Sequence, residues 1–318
     1  MTHHRFSWSV LLLFAGVTYS PAFGQDYPSR TVQIFVGTTA GGAVDVMARG
    51  LAEDLAKSVG GTFIVINKEG RNNTLAATQV ARSNADGYTL GFNAAGPFVS
   101  DLHTREGIPF KVEQIDFLCQ LVELPVAFAV AANSKYKSLP ELLRAAKSAP
   151  QTINVGSVGA GSVPTLVLGL LERQAGVKFN NIHYKGDGEL VTALLGGHID
   201  AAVPGVSTVA GKGLPVLATS SEHRVPNLQD VPTLKELGYP IVKVGMAGLY
   251  APAGMPPEVR SRLVKACSEI ASNGEKFKVV AARLKQQISF LGPDRWKQRI
   301  TEDSEENKPI IKQLESAH

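Results

Sequence analysis

Cysteine is almost absent from this sequence: Cys119 and Cys267 are the two among 318 residues. Small secreted domains that are held together by disulfides carry many more cysteines, so that class is excluded. Neither cysteine has a metal-ligand neighbour, and the scattered histidines match no zinc pattern, so no metal site is expected. Both cysteines lie in apolar segments, which favours two buried free thiols, although an oxidising compartment would allow them to pair.

Blocks of like charge and long apolar runs are missing as well. Charged residues make up 19% of the chain, and the formal net charge of +4 is spread along it, so no nucleic-acid partner is expected. Beyond the N-terminus, no apolar stretch approaches the roughly 20 residues that a membrane-spanning helix needs. No low-complexity tract or short-period repeat occurs. The composition is therefore typical of a soluble globular protein of about two domains.

The first 24 residues have the organisation of a secretory signal peptide. Arg5 lies in a starting segment without acids, the apolar run WSVLLLFAGV follows, and small residues precede Gln25. A run of about 10 apolar residues is too short to cross a bilayer. We therefore predict cleavage before Gln25 and export of the mature chain.

Strand-like and helix-like segments alternate through most of the mature chain. Such alternation predicts an α/β fold with mostly parallel sheets. The segments Leu121–Val130 and Lys243–Ala251 are predicted to be two crossings between lobes. Residues 25–124 with 246–318 would then form lobe I and residues 125–245 lobe II, with a hinged cleft between them.

Two glycine-rich loops each follow a strand and precede a helix: the first glycine loop, Gly37–Gly42, and the second glycine loop, Gly156–Ser162. Free N–H groups and the dipole at a helix start favour an anion, and glycine lets a ligand approach the backbone. For the first loop, a bare turn between packed elements is an equally good explanation. No lysine follows its glycines as in a P-loop, and its spacing differs from that of a dinucleotide-binding loop.

A catalytic base with an orienting partner is not recognisable. Ser157 does not fit a nucleophile elbow, because residue 155 is valine where that motif needs glycine. A hydroxyl that donates to a bound carboxylate is the simpler role for Ser157. Lys185 could bind an anion, but a single loop lysine is more often solvated. These residue types indicate a binding protein without a cofactor, not an enzyme.

Six segments occur in an order that is typical of one family: YPSRTVQIFV, AGGAVDVMAR, NADGYTLGF, HYKGDGELVTALLGGHIDAAV, VPTLKELG and LYAPAGMPPEV. With them the chain resembles the Bug (Bordetella uptake gene) family, the extracytoplasmic solute-binding proteins of tripartite tricarboxylate transporters. The resemblance covers nearly the whole mature chain. It implies a two-lobed Venus-flytrap fold of the periplasmic-binding-protein type II class, a small organic-acid ligand enclosed between the lobes, a monomer in the periplasm, and membrane transporter subunits as partners.

The resemblance also implies that backbone amides, hydroxyls and bridging waters hold a carboxylate. Carried over onto this sequence, the implied site residues are Thr38, Thr39, Ala40, Gly41, Gly42, Asp45, Asn93, Ala95, Ser157, Gly161, Ser162, Tyr184, Lys185, Gly186 and Gly205. Most of them belong to loops at helix starts.

Three features depart from the family pattern. The first glycine loop reads GTTAGG where the family usually has PFPAGG, which adds two hydroxyls. Arg71, Asn72 and Asn73 replace a glycine-rich turn. We predict that Arg71 or its asparagine neighbours reach the cleft and select a more polar ligand, whereas an Arg71 in solvent remains an equal alternative. Pro309 is expected to interrupt the last helix.

Three functions are compatible with this sequence. The best supported is capture of a small organic acid for a secondary transporter. An orphan receptor that reports its ligand to a membrane sensor would use the same trap. A secreted serine hydrolase that uses Ser157 or Ser162 is the least supported.

Overall fold

The structure, a computed structural model, describes residues 27–70, 72–104, 108–159, 161–210 and 212–315. The predicted signal peptide and Arg71 lie outside the described residues. The strands are β1 Val32–Val36, β2 Phe63–Asn67, β3 Thr89–Ala94, β4 Ile115–Leu124, β5 Ala127–Ala129, β6 Asn154–Val158, β7 Asn180–Tyr184, β8 Ala201–Ala202, β9 Val216–Thr219, β10 Gly245–Pro252 and β11 Gln287–Leu291. The helices are α1 Ala43–Val59, α2 Thr74–Ala81, α3 Gly96–Val99, α4 Asp101–Thr104, α5 Leu139–Ser148, α6 Val163–Ala175, α7 Asp187–Leu195, α8 Val206–Ala210, α9 Pro257–Asn273, α10 Glu275–Arg283 and α11 Pro293–Glu315.

A six-stranded sheet has the strand order β11-β4-β10-β3-β1-β2. Strand β1 pairs in parallel with β2 and β3, whereas the pairings of β10 with β3 and β4, and of β11 with β4, are antiparallel. Helices α1, α9 and α10 pack on one face of this sheet, and α2, α3 and α11 pack on the other. We call this sheet and its helices the six-stranded unit.

A five-stranded sheet has the order β7-β6-β8-β5-β9. Strand β6 pairs in parallel with β7 and β8, and β5 pairs antiparallel with β8 and β9. Helices α5 and α6 cover one face, and α7 and α8 cover the other. We call this sheet and its helices the five-stranded unit.

The start of the chain shows how apolar spacing positions the site. Strand β1 buries Val32 and Ile34 completely while Gln33 is exposed. In α1, Met47, Leu51 and Leu55 are spaced by four residues and are at most 2% exposed. This spacing presses one helical face onto the sheet. The first glycine loop is therefore held between β1 and α1, at the carboxyl end of the strand.

The predicted α/β fold with two sheets is confirmed, but both sheets are mixed where the sequence indicated mostly parallel ones. The reason is that β10 returns antiparallel between β3 and β4, and β5 lies antiparallel between β8 and β9. The chain changes sheet between Leu124 and Ala127 and again between Thr219 and Gly245. These changes support the predicted lobe boundaries, which stay a prediction. Among the described residues, no helix combines the length and the apolarity needed to span a bilayer.

Two local predictions are wrong. Helix α11 continues past Pro309, because the buried residues Asn307 and Ile311 anchor it on both sides of the proline. Cys119 of β4 and Cys267 of α9 form a disulfide, with Cα atoms 6.4 Å apart, instead of two free thiols. The two residues are 148 positions apart, so only the packing of α9 on the six-stranded sheet brings them together.

Candidate ligand-binding cavity between the two sheets

A cavity of about 580 Å³ lies between the six-stranded and the five-stranded units, and residues of both line it. This volume falls within the range of small-molecule sites. The carboxyl ends of β1, β3, β6 and β7 lead into it, as is typical of ligand sites in α/β proteins. On its rim, the side-chain amide of Gln286 donates a hydrogen bond of 2.9 Å to Ser207 Oγ, which joins the two units.

Three helices of at least nine residues begin at the cavity: α1, α6 and α7. Their N-cap residues, Gly42, Ser162 and Gly186, all line it. At Gly42 and Gly186 no side chain caps the helix. The first-turn N–H groups of α1 and α7 are therefore available to an anion, and the helix dipoles add to the attraction.

Asp45 fixes the first glycine loop and does not line the cavity. Its side chain is 1% exposed and accepts hydrogen bonds from Gly41 N at 2.8 Å, from Arg49 at 2.9 and 3.0 Å, and from Asn67 Nδ2 at 2.8 Å. Asn67 also donates to the Thr38 carbonyl at 2.9 Å. Burial alone would raise the pKa of Asp45, but the hydrogen bonds from Arg49, Gly41 and Asn67 outweigh it and hold that pKa below its usual value.

Replacing Asp45 by asparagine is expected to lower the free energy of unfolding by about 1–3 kcal/mol at neutral pH, because one of its two accepting oxygens becomes an NH2 group that faces donors, and the negative charge beside Arg49 is lost. The folded-state pKa of Asp45 lies below the unfolded one. The contribution of Asp45 to the free energy of unfolding is therefore complete at a pH above its unfolded-state pKa of about 4. It is lost as the pH falls through its folded-state pKa. Urea unfolding at several pH values measures this. Exposed Glu53 of the same helix is the control, and Glu53→Gln should change stability by less than about 0.5 kcal/mol. Equal stability of Asp45→Asn and the native protein would contradict this role.

Asn93 acts in the same way behind the first glycine loop. It is 1% exposed, and its Oδ1 accepts from Gly37 N–H. Its Nδ2 donates to Tyr250 Oη at 2.7 Å and to the Phe35 carbonyl at 3.1 Å. Asn93 therefore positions the backbone that reaches the cavity, which Ala95 and Gly96 line beyond it.

Ser157 is completely buried and does not line the cavity. Its Oγ lies 2.9 Å from Asn181 Oδ1, 3.1 Å from Thr165 Oγ1 and 3.2 Å from His183 Nδ1. This placement does not favour direct contact of Ser157 with a ligand, either as the predicted donor to a carboxylate or as the nucleophile of the alternative hydrolase. Ser162 does line the cavity, and its hydroxyl donates to the Val158 carbonyl.

The structure divides the predicted site residues into two groups. Those that line the cavity are Thr38, Thr39, Gly42, Ala95, Gly161, Ser162, Gly186 and Gly205. Those that do not are Ala40, Gly41, Asp45, Asn93, Ser157, Tyr184 and Lys185. Lys185 is exposed, and its backbone N–H donates to Glu189 at 3.1 Å, which places it at the start of α7 but outside the cavity. Direct ligand contact stays a prediction for the residues of both groups. Arg71 lies outside the described residues, and of its predicted neighbours Asn72 lines the cavity whereas Asn73 does not.

Sequence reasoning missed the charged residues of the cavity. Lys243 has a side chain that is 7% exposed, and its Nζ lies 3.1 Å from Glu306 Oε2 and 3.4 Å from Asp303 Oδ1. Burial raises the pKa of Asp303, while Lys243 and Arg299 pull it in the opposite direction. The acids belong to α11, a mostly polar helix, and nothing in its sequence distinguishes a cavity residue from a solvated one.

Asp187, the first residue of α7, was also missed although it follows Gly186. Its Oδ2 accepts from Gly205 N at 3.0 Å and from Thr208 Oγ1 at 2.7 Å. Burial raises the pKa of Asp187 above its usual value in spite of these two hydrogen bonds. Among the described residues, no cluster of histidine, cysteine and acids is arranged to hold a metal ion.

Comparison with known proteins identifies the family. The profile of the tripartite tricarboxylate transporter family receptor matches residues 47–315. The "UPF0065 protein in gbd 5'region" of Cupriavidus necator is 31% identical over 304 residues, which is 94% of this chain and 92% of that protein. Protein BugT of Bordetella pertussis is 32% identical over 257 residues, 79% of this chain and 78% of BugT.

Comparison with solved structures leads to the same family. A TctC solute-binding protein from Polaromonas, without ligand, superposes with a TM-score of 0.76 at 28% identity, covering 90% of this chain and 99% of that one. MatC from Rhodopseudomonas palustris with bound malate gives a TM-score of 0.76 at 25% identity, covering 90% and 100% of the two chains. The predicted resemblance is confirmed: this chain belongs to the tripartite tricarboxylate transporter receptor family, whose members are solute-binding proteins and not enzymes.

Proposed function

We propose that this protein is a periplasmic receptor that encloses a small carboxylate-bearing metabolite between its two lobes. It then delivers that metabolite, chemically unchanged, to the membrane subunits of a tripartite tricarboxylate-type transporter. One observation carries the proposal above all: the uncapped starts of α1 and α7 and the start of α6 converge on one cavity of about 580 Å³.

Helix starts suit a carboxylate for a specific reason. Their N–H groups have no partner within the helix and carry a partial positive charge, which attracts an anion. No lysine or arginine then has to lose its hydration to bind that anion. The three starts come from both units, so a bound carboxylate would link them. Ligand binding would then stabilise the arrangement in which Gln286 meets Ser207. The malate bound to MatC, a relative at 25% identity, supports a carboxylate as the anion.

A thermal-shift panel of mono-, di- and tricarboxylates, amino acids and aromatic acids tests the proposal. A true ligand at about 100 times its Kd is expected to stabilise the folded state by about 2.7 kcal/mol. The amide of each active acid is the matched control, and it should give no shift because it lacks the anionic group. No stabilisation by any carboxylate, or chemical conversion of one, would contradict the proposal.

A further inference from the structure

The charged residues of the cavity do not match a ligand that is purely anionic. Among the residues that the structure describes, three ionisable side chains line it: the cation Lys243 and the acids Asp187 and Asp303. Lys243 is already engaged by Asp303 and, outside the lining, by Glu306. A dicarboxylate would therefore bring two more negative charges to a site in which acids outnumber the cation.

Asp187 is the acid without a cation. Within the described ranges no lysine, arginine or histidine forms an ion pair with it, and its partners are the uncharged donors Gly205 N and Thr208 Oγ1. Both donate to Oδ2. Asp187 is half-buried, and partial burial of a carboxylate with no opposite charge beside it is unfavourable and raises its pKa. A cation on the ligand would compensate this unfavourable burial.

Asn307 of α11 contributes a second unmatched acceptor. It lines the cavity and is 1% exposed, and its Oδ1 has no hydrogen-bond partner. Its Nδ2 donates to Ser100 Oγ at 3.2 Å and to the Val99 carbonyl at 3.4 Å, so the orientation of the amide leaves the oxygen unpaired. Buried acceptors are nearly always satisfied, but this oxygen is closed to solvent, so it marks an unsatisfied polar group beside the cavity and not a ligand contact.

Much of the remaining lining is apolar. Both units contribute side chains of this kind: Val44, Val99, Met246, Val126, Val158 and Val163. Such a surface favours a ligand with an uncharged, apolar body, since a second carboxylate placed against it would lose its hydration.

We propose that the ligand is a zwitterionic amino acid with an uncharged, largely apolar side chain, a proposal that rests on the carboxylate site described above. Its carboxylate binds at the helix starts, its ammonium group binds Asp187, and its side chain contacts the valines. The two charges of the ligand are then matched separately, the anion by backbone N–H groups and the cation by the unpaired acid.

Calorimetric titration with matched pairs tests the ammonium group. Each pair is an amino acid and the same acid without its amino group: L-leucine and 4-methylpentanoate, L-phenylalanine and 3-phenylpropanoate, L-glutamate and glutarate. We expect the amino acid of an apolar pair to bind most tightly, about 10- to 100-fold more tightly than its deaminated partner, as for a charge-assisted hydrogen bond. Tightest binding by glutarate, or equal binding within the apolar pairs, would overturn the proposal.

The substitution Asp187→Asn tests the role of the Asp187 carboxylate on its own. Asparagine keeps an oxygen that accepts from Gly205 and Thr208 but removes the charge. We expect the affinity for the amino acid to fall about 10- to 100-fold, while that for the deaminated acid stays equal or rises. The melting temperature without ligand should stay equal or rise, because a half-buried charge without a counter-ion is removed.

Asp230→Asn is the matched control, since Asp230 is an exposed aspartate outside the cavity lining and the same charge is removed. It should change neither affinity. An equal loss for both members of a pair in Asp187→Asn would show a structural role and overturn the proposal. Absence of binding by every carboxylate would instead refute the carboxylate site itself, so the two failures are distinguishable.

Discussion

Replacing Gly186 by phenylalanine is expected to weaken ligand binding at least about 100-fold, a loss of about 2.7 kcal/mol or more. Gly186 lines the cavity as the N-cap of α7. A Cβ at this position would meet no atom within 4 Å, and its φ of −171° is extended backbone that any residue adopts. The variant should therefore fold normally while its ring occupies the space of the ligand. Calorimetric titration with the tightest acid from the thermal-shift panel measures the effect.

Gly292→Phe is the matched control for this substitution. Gly292 lies before α11 and outside the cavity lining, and a Cβ there would also meet no atom within 4 Å. Its φ lies outside the range that disfavours side chains. This variant should keep the native affinity and melting temperature. A Gly186→Phe protein that binds like the native one would show that the ligand does not occupy this cavity.

Removing the disulfide is expected to lower the free energy of unfolding by about 2–5 kcal/mol, the second large effect. The bond joins residues 148 positions apart, and constraining so long a loop strongly reduces the entropy of the unfolded chain. Guanidinium unfolding of the native protein and of a Cys119→Ala, Cys267→Ala double variant measures the difference.

The ligand affinity of the double variant shows whether the disulfide stabilises the fold alone or also contributes to binding. Both cysteines are fully buried in the core of the six-stranded unit and neither lines the cavity, so the folded double variant should bind its ligand as the native protein does. The native protein, once its disulfide has been chemically reduced, should have the same unfolding midpoint as the double variant. An unchanged unfolding midpoint in both would contradict the stabilising role of the bond.

The order of elements was predictable because each depends on local spacing. The apolar positions of β1 and the four-residue spacing in α1 are visible in the sequence and are buried in the structure. Strand direction was not predictable in this way. Strand β10 lies between β3 and β4, and this pairing depends on segments more than 100 residues apart. The disulfide depends on the same long-range packing.

The site was predictable where backbone forms it. Glycine loops at strand ends indicated Gly42 and Gly161, the family resemblance implied Gly186, and all three line the cavity. The side chains of the site were harder to predict from the sequence. Asn93 and Ser157 lie on the strands themselves, so they support the loops from beneath instead of reaching the cavity. The acid and amide side chains of α11 could not be found, because only the packing of that helix turns them towards the five-stranded unit.

A crystal structure of the protein with the tightest acid from the panel tests the central claim most directly. We expect the acid inside the cavity between the two units, with its carboxylate oxygens bound, directly or through one water, by first-turn N–H groups of α1, α6 or α7. An acid bound outside the cavity, or one whose carboxylate lies away from all three helix starts, would contradict the claim.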